Sequence, residues 1–379
     1  MQTKYNRVKQ AIKSKILDGT FRPHQKIGSE NDLMKQFDVS RHTVRLAVGE
    51  LVSQGWLYKE QGAGTFCADR STVQKGIDQG SSKNIAIITT YISNYIFPSI
   101  IRGAESYLSN QNFHVTLLST NNNHMNEKHF LERIISQNFD GVIIEPTRSA
   151  VSNPNINYYL NLERLGIPYL MINAYYEELE PLYIAMDDEK GGFMQTDHLL
   201  KAGHRNIGGF FKTDDLQGIK RMKGYVKAHR ANKVPMEPNN IITYNTEEKR
   251  TKPLEELKRL LSSSSSMPTG IVCYNDELVV RLLDVLRERD LQIPSDLSIV
   301  GFDDSFLARA SEVKLTTIKH PKSKLGETAG KLMLDMIKRS SGTQRNKMPE
   351  LEPIIFEPEL VERNSTRPLN NSILNKVSK

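Results

Sequence analysis

The sequence predicts a multidomain protein: an N-terminal winged helix-turn-helix of α+β type, followed by a larger α/β unit of two Rossmann-like lobes. Three observations carry that prediction. Residues Ser29–Phe66 read as a short helix, a tight turn, a longer helix and a small β-hairpin with Gly62 and Gly64 at its tip. From Asn84 onward, short apolar runs alternate with helical stretches, the pattern of parallel sheets covered by helices. A chain of 379 residues is also too long for one ordinary core. Charge follows the same division. Up to Arg70 there are 12 Lys and Arg against 7 Asp and Glu, while the rest of the chain carries 39 against 37. The smallest segment thus holds most of the excess positive charge, as a segment that meets phosphates would. A merely solvated basic face has the same composition.

In the first segment a helix is expected from about Lys4 to Asp18, with Tyr5, Val8, Ile12 and Ile16 on one face and Gly19 as its stop. Ser29 caps the next helix, with Asp32 three residues on in a capping-box arrangement. Phe37-Asp38-Val39 forms the turn and Ser40 caps the third helix, whose buried face is Val44, Ala47, Val48 and Leu51. Arg41, His42 and Arg45 lie off that face, near the helix start that enters a major groove in helix-turn-helix proteins. Arg41 and Arg45, one turn apart, can each donate two hydrogen bonds to guanine O6 and N7. Ser40, His42 and Thr43 suit phosphates or bases, and the free N–H groups of the helix start favour phosphate. A solvated surface is the ordinary reading of an isolated arginine pair. Here the caps, turn, apolar spacing and hairpin agree with one another, which favours DNA. The wing is expected over Leu57–Glu60 and Thr65–Cys67, with Gln61, Gly62 and Gly64 reaching the minor groove or its phosphates and Ala63 a plain turn residue. Lys4 and Tyr5 are candidates for backbone contact, Tyr5 being equally suited to the core.

The stretch Lys26–Phe66, with SENDLMKQF, VSRHTVR, LVSQGWL and GAGTF, resembles the DNA-binding domain of the GntR family of bacterial regulators. The resemblance implies a dimer on near-palindromic double-stranded operator DNA. It departs in one place: Gly28 stands where members usually have Pro before Ser-Glu, so the lead into that helix should differ. With Glu30, the Glu of that Ser-Glu, the candidate DNA set is Lys4, Tyr5, Glu30, Ser40, Arg41, His42, Thr43, Arg45, Gln61, Gly62 and Gly64.

Residues 69–83 are polar, contain two glycines and read as a flexible tether. Strands are expected at Ile85–Thr89, Val115–Ser119, Val142–Ile144, Tyr169–Ile172, Tyr183–Met186, Ile207–Phe211, Ile271–Cys273 and Ile299–Phe302, with helices around Ser99–Asn110 and Asn126–Gln137. Ser323–Lys338 should form a helix returning to the first lobe. Strands near Leu315–Ile318 and Ile354–Glu357 should join the lobes as a hinge. The five serines at Ser262–Ser266 suggest an exposed loop, and the tail beyond Arg367 should fray.

Ligands of open α/β sheets sit at the carboxyl ends of the strands. The polar and aromatic residues there are Tyr91, Asn94, Phe97, Asn121–Asn123, Glu145, Asn173, Asp188, Asn275, Asp303, Asp304 and His320, with Arg221 opening a helix. Carboxylates, amides and a guanidinium beside aromatic rings are what a sugar requires. Each hydroxyl both donates and accepts, and a pyranose packs its apolar face on a ring. Taken singly, Asn and Asp after strands are more often turn or cap residues, a role that fits Asp276 and Asp304. Arg221 taken alone is compatible with a surface position, and His320 with a core one.

The order of IAIITTYISNYIFPSIIRGAE, DGVIIEP, GIPYLMINA, DDEKGG, RMKGY, PTGIVCYNDELV, PSDLSIVGFDD and LTTIKHP resembles the LacI/GalR regulators and the periplasmic sugar-binding proteins over nearly all of Asn84–Arg367. By position, the resemblance places ligand contacts on Asn94, Phe97, Glu145, Arg221, Asn275, Asp303 and His320. Tyr91 and Asn173 complete the candidate set. Many relatives have Gln where His320 stands and Asp where Glu145 stands, which implies a different sugar from that of the commonest members. The implied division is a winged head over 1–68, a linker over 69–83, an effector-binding and dimerisation domain over 84–367 and a tail over 368–379. Within that domain, lobes are expected over 84–186 with 319–352 and over 187–315 with 353–367. The fusion of a GntR-type head to this receptor, with STNNN and SRHTVR, is similar to the arabinose-repressor family of bacilli. That resemblance implies L-arabinose as effector and sugar-utilisation genes as targets. The residues alone reach a DNA-binding dimer with a small polar ligand, so a different sugar or polar metabolite stays open.

The two cysteines, Cys67 and Cys273, make neither a metal spacing nor a disulfide framework. No leader pattern opens the chain and no apolar run has transmembrane length, so a cytoplasmic protein with no cofactor and no metal is expected. An enzyme acting on the same sugar would need more than adjacent Asp303 and Asp304, whose side chains rarely address one bond. A transport receptor would have no use for the head.

Overall fold

The computed structural model describes residues 3–69, 83–262, 267–340 and 350–369. The expected tether apart from Asp69 and Lys83, the serine run beyond Ser262 and most of the expected tail lie outside the described residues. Pro368 and Leu369 do not fray: the Leu369 N–H donates to the Ala202 carbonyl at 2.7 Å.

The head contains α1 (Lys4–Leu17), α2 (Glu30–Phe37), α3 (Arg41–Ser53) and a hairpin of β1 (Leu57–Glu60) and β2 (Gly64–Cys67). The Ser29 hydroxyl accepts from Asp32 N, and the Asp32 carboxylate accepts from Ser29 N, a reciprocal capping box. Asp38 at φ 50° makes the left-handed turn into α3, which Ser40 caps through Thr43 N. Val44, Ala47, Val48 and Leu51 form the buried face of α3, packed with Val8, Ile12, Ile16 and Trp56. Tyr5 is half-buried against the same core, with the Lys9 ammonium over its ring. In the wing, Gly62 and Gly64 have φ of 79° and 128°, values that side chains rarely adopt.

The receptor part is two sheets. In lobe one the strand order is β13-β7-β6-β5-β3-β4, built from β3 (Asn84–Thr89), β4 (His114–Ser119), β5 (Gly141–Ile144), β6 (Tyr169–Ile172), β7 (Tyr183–Met186) and β13 (Ile354–Phe356), all parallel. Its helices are α4 (Phe97–Asn110), α5 (His124–Ser136), α6 (Ile156–Leu165) and α12 (Lys322–Ser340). Lobe two has the order β14-β12-β11-β10-β8-β9, from β8 (Ile207–Lys212), β9 (Ile241–Tyr244), β10 (Gly270–Cys273), β11 (Ser298–Asp303), β12 (Thr316–Lys319) and the antiparallel β14 (Glu359–Val361). Its helices are α7 (Asp188–Lys201), α8 (Leu216–Ala231), α9 (Lys252–Leu261), α10 (Asp276–Arg287) and the short α11 (Phe306–Ala310). Central strands are apolar throughout, as both faces of a parallel sheet are covered.

The chain crosses between lobes three times: from β7 into α7, from β12 into α12, and from β13 into β14. This corrects the expected division. Residues 353–367 do not all belong to lobe two, because β13 pairs in parallel with β7 in lobe one. The crossing therefore falls between Phe356 and Glu359. Edge strands β9 and β14 escaped the sequence reading, since at a sheet edge they lack the unbroken buried apolar run of the central strands. Helix α4 starts earlier than expected because Pro98 fits its first turn. Arg221 lies in the second turn of α8 rather than at its opening. Among the described residues no helix is long and apolar enough to cross a membrane.

Helices α7 and α8 pack backbone to backbone. A Cβ on Gly192 would lie 2.3 Å from the Arg221 carbonyl, and one on Gly224 would lie 2.1 Å from the Glu189 carbonyl. This approach brings α7 to Arg221. Gly192→Ala should therefore force the helices apart and cost ~1–3 kcal/mol, read as a lowered unfolding midpoint. An unchanged midpoint would show that the pair can separate freely.

Candidate functional site

On the head, the exposed side chains at the start of α3 are organised from α2. Glu30 accepts from Arg45 Nε with both oxygens, at 2.9 and 3.0 Å, and Arg41 Nη2 donates to Asn31 at 2.8 Å. The Arg45 hydrogen bond holds the Glu30 carboxyl below its usual range. Glu30 thus holds Arg45 directly and stands 3.8 Å from the Arg41 guanidinium, so both arginines are drawn toward the start of α2. Ser40 and Thr43 are engaged with one another in the cap, their hydroxyls 2.9 Å apart. His42, Lys4, Gln61 and Gly62 are exposed, whereas Gly64 is half-buried with the Lys26 chain beside it and Tyr5 gives much of its surface to the core.

Between the lobes a cleft gathers all nine residues of the expected ligand set: Tyr91, Asn94, Phe97, Glu145, Asn173, Arg221, Asn275, Asp303 and His320. Lobe one supplies one wall. Glu145, after β5, accepts from Thr90 N (2.9 Å), Thr90 Oγ1 (2.5 Å) and Asn173 Nδ2 (3.0 Å). Burial raises its pKa against those hydrogen bonds. The Tyr91 and Phe97 rings lie tilted 5.9 Å apart at the rim.

Lobe two supplies the charge. Arg221 is 4% exposed. Its Nε donates to Asp188 at 2.8 Å, its Nη1 to the Tyr274 carbonyl at 2.7 Å, and its Nη2 stands 3.6 Å from Asp303 Oδ1. The guanidinium lies 3.5 Å from the Phe302 ring centre, a cation–π contact in a dry site. Burial raises the Asp188 pKa to about 6 against the pull of Arg221. Burial, with Lys322 and Arg221 nearby, drives that of His320 down to about 3, so the imidazole is neutral. Asn275 caps α10 through Leu278 N and still lines the cleft, so the cap role and the site role coexist.

Among the described residues, three buried atoms in this cleft have no protein hydrogen-bond partner: Asn173 Oδ1, Asp303 Oδ1 and His320 Nδ1. Buried polar atoms are rarely left so. Two carboxylates, Asp188 and Asp303, converge on the Arg221 guanidinium, and this mixture of donors and acceptors suits recognition of hydroxyls. The sequence reading placed Asp188 after a strand without giving it a role, and passed over Lys212, Asp215, Lys249 and Tyr274, which also line the cleft. Asp188 had a signal in the doubled Asp of DDEKGG, since Asp187 is spent on capping Lys190 N. Lys249 had none, because it comes from a loop after β9 and reaches the Tyr91 ring across the cleft.

Residues 4–67 match the profile of bacterial regulatory proteins of the gntR family, and residues 196–366 match that of the periplasmic binding protein-like domain. An arabinose metabolism transcriptional repressor of Halalkalibacterium halodurans is 61% identical over 97% of this chain and 97% of its own. One of Geobacillus stearothermophilus is 49% identical over 96% of this chain and 98% of its own. The chain belongs to the family of arabinose metabolism transcriptional repressors. It is a DNA-binding transcriptional repressor rather than an enzyme. The receptor part of the repressor is similar to a LacI family regulator from Enterococcus faecium solved with bound ribose. The TM-score is 0.63 and the identity 29%, covering 76% of this chain and 100% of that one.

Two outcomes follow from these geometries. Arg45→Ala in the repressor should cost ~1–3 kcal/mol at one base position, read by gel shift on a set of operator variants. An equal loss on every sequence would assign Arg45 to phosphate. Affinity for the cleft's ligand should weaken as pH falls through about 6, because Asp188 takes a proton and loosens Arg221. No step near 6.5 should come from His320. Asp188→Asn should flatten the profile, and a persisting step would place the titrating group elsewhere.

Proposed function

We propose that the repressor binds L-arabinose in the inter-lobe cleft and that binding releases a homodimer from near-palindromic operator DNA in the cytoplasm. The observation that carries the sugar is the set of three buried atoms without a protein hydrogen bond, on Asn173, Asp303 and His320, that line the cleft with the Arg221 guanidinium and an aromatic rim; Asp303 Oδ1 keeps only its longer ion-pair contact with Arg221. The curated relatives named above support arabinose in particular. The homodimer is supported by the size of the reader: one α3 and one wing cover a single half-site, and a second copy supplies the other. The cleft candidates act as a group. Arg221 and Asp303 bond hydroxyls as donor and acceptor, Asn173, Asn94, Asn275 and Glu145 set their orientation, neutral His320 adds a further partner, and Tyr91 and Phe97 cover the apolar face of the ring. On the head, Arg41, Arg45, His42 and Thr43 read bases, while Lys4, Ser40, Gln61, Gly62 and Gly64 approach the backbone with Tyr5 beside them and Glu30 aligns the arginines. Sugar needs a preference of only a few kcal/mol for the released state.

Calorimetry of the full-length protein against a panel of pentoses and hexoses tests the sugar, and gel shift with the same panel tests release. Heat with L-arabinose and release at matching concentrations support the reading; no heat with any pentose overturns it. Arg221→Ala should weaken sugar binding about 10–100-fold while operator binding without sugar is retained. Unchanged release would remove Arg221 from the site. Operator binding should also fall steeply with salt.

A further inference from the structure

The head does not stand clear of the receptor. The last turn of α1 is seated on the α5–α6 face of lobe one. Asn161 of α6, 3% exposed, donates through Nδ2 to the Leu17 carbonyl at 2.5 Å, with the Ile16 carbonyl at 3.5 Å. Within the head the Ile16 carbonyl already accepts from Gly19 N at 3.2 Å, so the lobe's contribution is the bond to the Leu17 carbonyl, one of the terminal carbonyls a helix cannot satisfy by itself. Ser14 and Tyr158 of α6 share a hydrogen bond at 3.1 Å, and the Tyr158 hydroxyl donates to Glu132 of α5 at 3.0 Å. Around these bonds, Ile16, Leu17, Trp56 and Cys67 of the head join Ile135, Tyr158 and Leu162 of the lobe in one buried apolar cluster. Meanwhile Arg41, His42, Arg45 and the wing tip stay exposed. The contact therefore leaves the reading surface uncovered and fixes how it is presented.

The seat is connected to the closure of the lobes. Tyr159, next to Tyr158, packs edge-on against Tyr176, whose hydroxyl bonds Glu127 at 2.8 Å and the Thr147 carbonyl at 2.9 Å. Thr147 begins the loop that meets lobe two. Arg148 N donates to Asn122 Oδ1, Arg148 pairs with Glu247, and Ser149 Oγ accepts from Leu216 N at the start of α8. Asn122 Nδ2 donates to Thr246 Oγ1 at 2.6 Å. Contacts between the lobes and a seated head thus occur together in this structure, through one run of packed and bonded groups.

We propose that the α5–α6 face of lobe one is a dock for the DNA-binding head of the same chain, favoured when the lobes close, and that docking holds the heads in an orientation unsuited to the operator. The release step rests on the cleft being the effector site; the dock itself does not. A contiguous network alone does not establish coupling, so the dock and the coupling are measured separately.

Two full-length variants test it from opposite sides: Asn161→Arg on the lobe and Ser14→Glu, which sets a carboxylate beside Glu132, on the head. Amide exchange over Ile16–Gly19 should speed up about tenfold in both, and sugar affinity by calorimetry should weaken, because a dock favoured by closure favours closure in return. The L-arabinose concentration for half-release of operator should rise by about tenfold. Unchanged exchange in both variants overturns the dock, and faster exchange with unchanged release overturns the coupling. If Asn161→Arg loses its folded circular dichroism spectrum, Ser14→Glu alone decides. If the parent protein binds no sugar, the effector reading fails, while the exchange measurement still judges the dock.

Discussion

The buried guanidinium of Arg221 is the constraint around which the receptor part is arranged. A charge removed from water is tolerated only when its hydrogen bonds and countercharges are supplied in full. Here they come from four directions. Asp188 approaches from α7, the Tyr274 carbonyl from the end of β10, the Phe302 ring from β11, and Asp303 from the β11 terminus. Satisfying it dictates the close α7–α8 packing, which only glycine permits at Gly192 and Gly224. β11 runs two residues past the end of β10, which carries Phe302 and Asp303 to the guanidinium beside Tyr274. One charged donor thereby fixes the floor of the cleft and leaves part of Asp303 facing inward.

The three crossings explain how such a floor can meet a moving wall. Each lobe has its own sheet and its own apolar core, so each can act as a rigid body. Between them run three connections and a small number of polar contacts. Tyr95 illustrates the type: its hydroxyl donates to the Phe302 carbonyl and accepts from Asp276 N, both in the opposite lobe. Such bonds exchange readily for water when the lobes part. Ligand that bridges both walls shifts the balance toward closure by the difference of its affinities for the two states.

Local signals made the head legible. Its caps, its turn and the 3.6-residue spacing of Val44, Val48 and Leu51 depend on neighbours within a few residues, and the elements fall within a residue or two of their expected bounds. The nine cleft candidates were legible for a different reason. Parallel strands bring their carboxyl ends to one edge, so residues scattered along the chain are gathered by a rule of topology. What escaped lacks both signals. Lys249 reaches the cleft from a loop, the bond by which Glu30, itself a candidate, holds Arg45 runs between two helices, and β13 joins lobe one against the simple division of the chain.

The sequence by itself determined the classes of element, the identity of the head, the two-lobed receptor and the chemistry gathered at the strand ends. Apolar period, cap residues and strand-helix alternation are short-range properties that survive in a one-dimensional string. Only the tertiary structure decided which groups are paired and which are left unpaired. It spent the Ser40 hydroxyl on a cap and Asn275 on both a cap and the cleft, made His320 neutral by burying it, and seated α1 on Asn161. Pairing and desolvation depend on distances between residues far apart in the chain, and those distances exist only once the lobes and the head are packed.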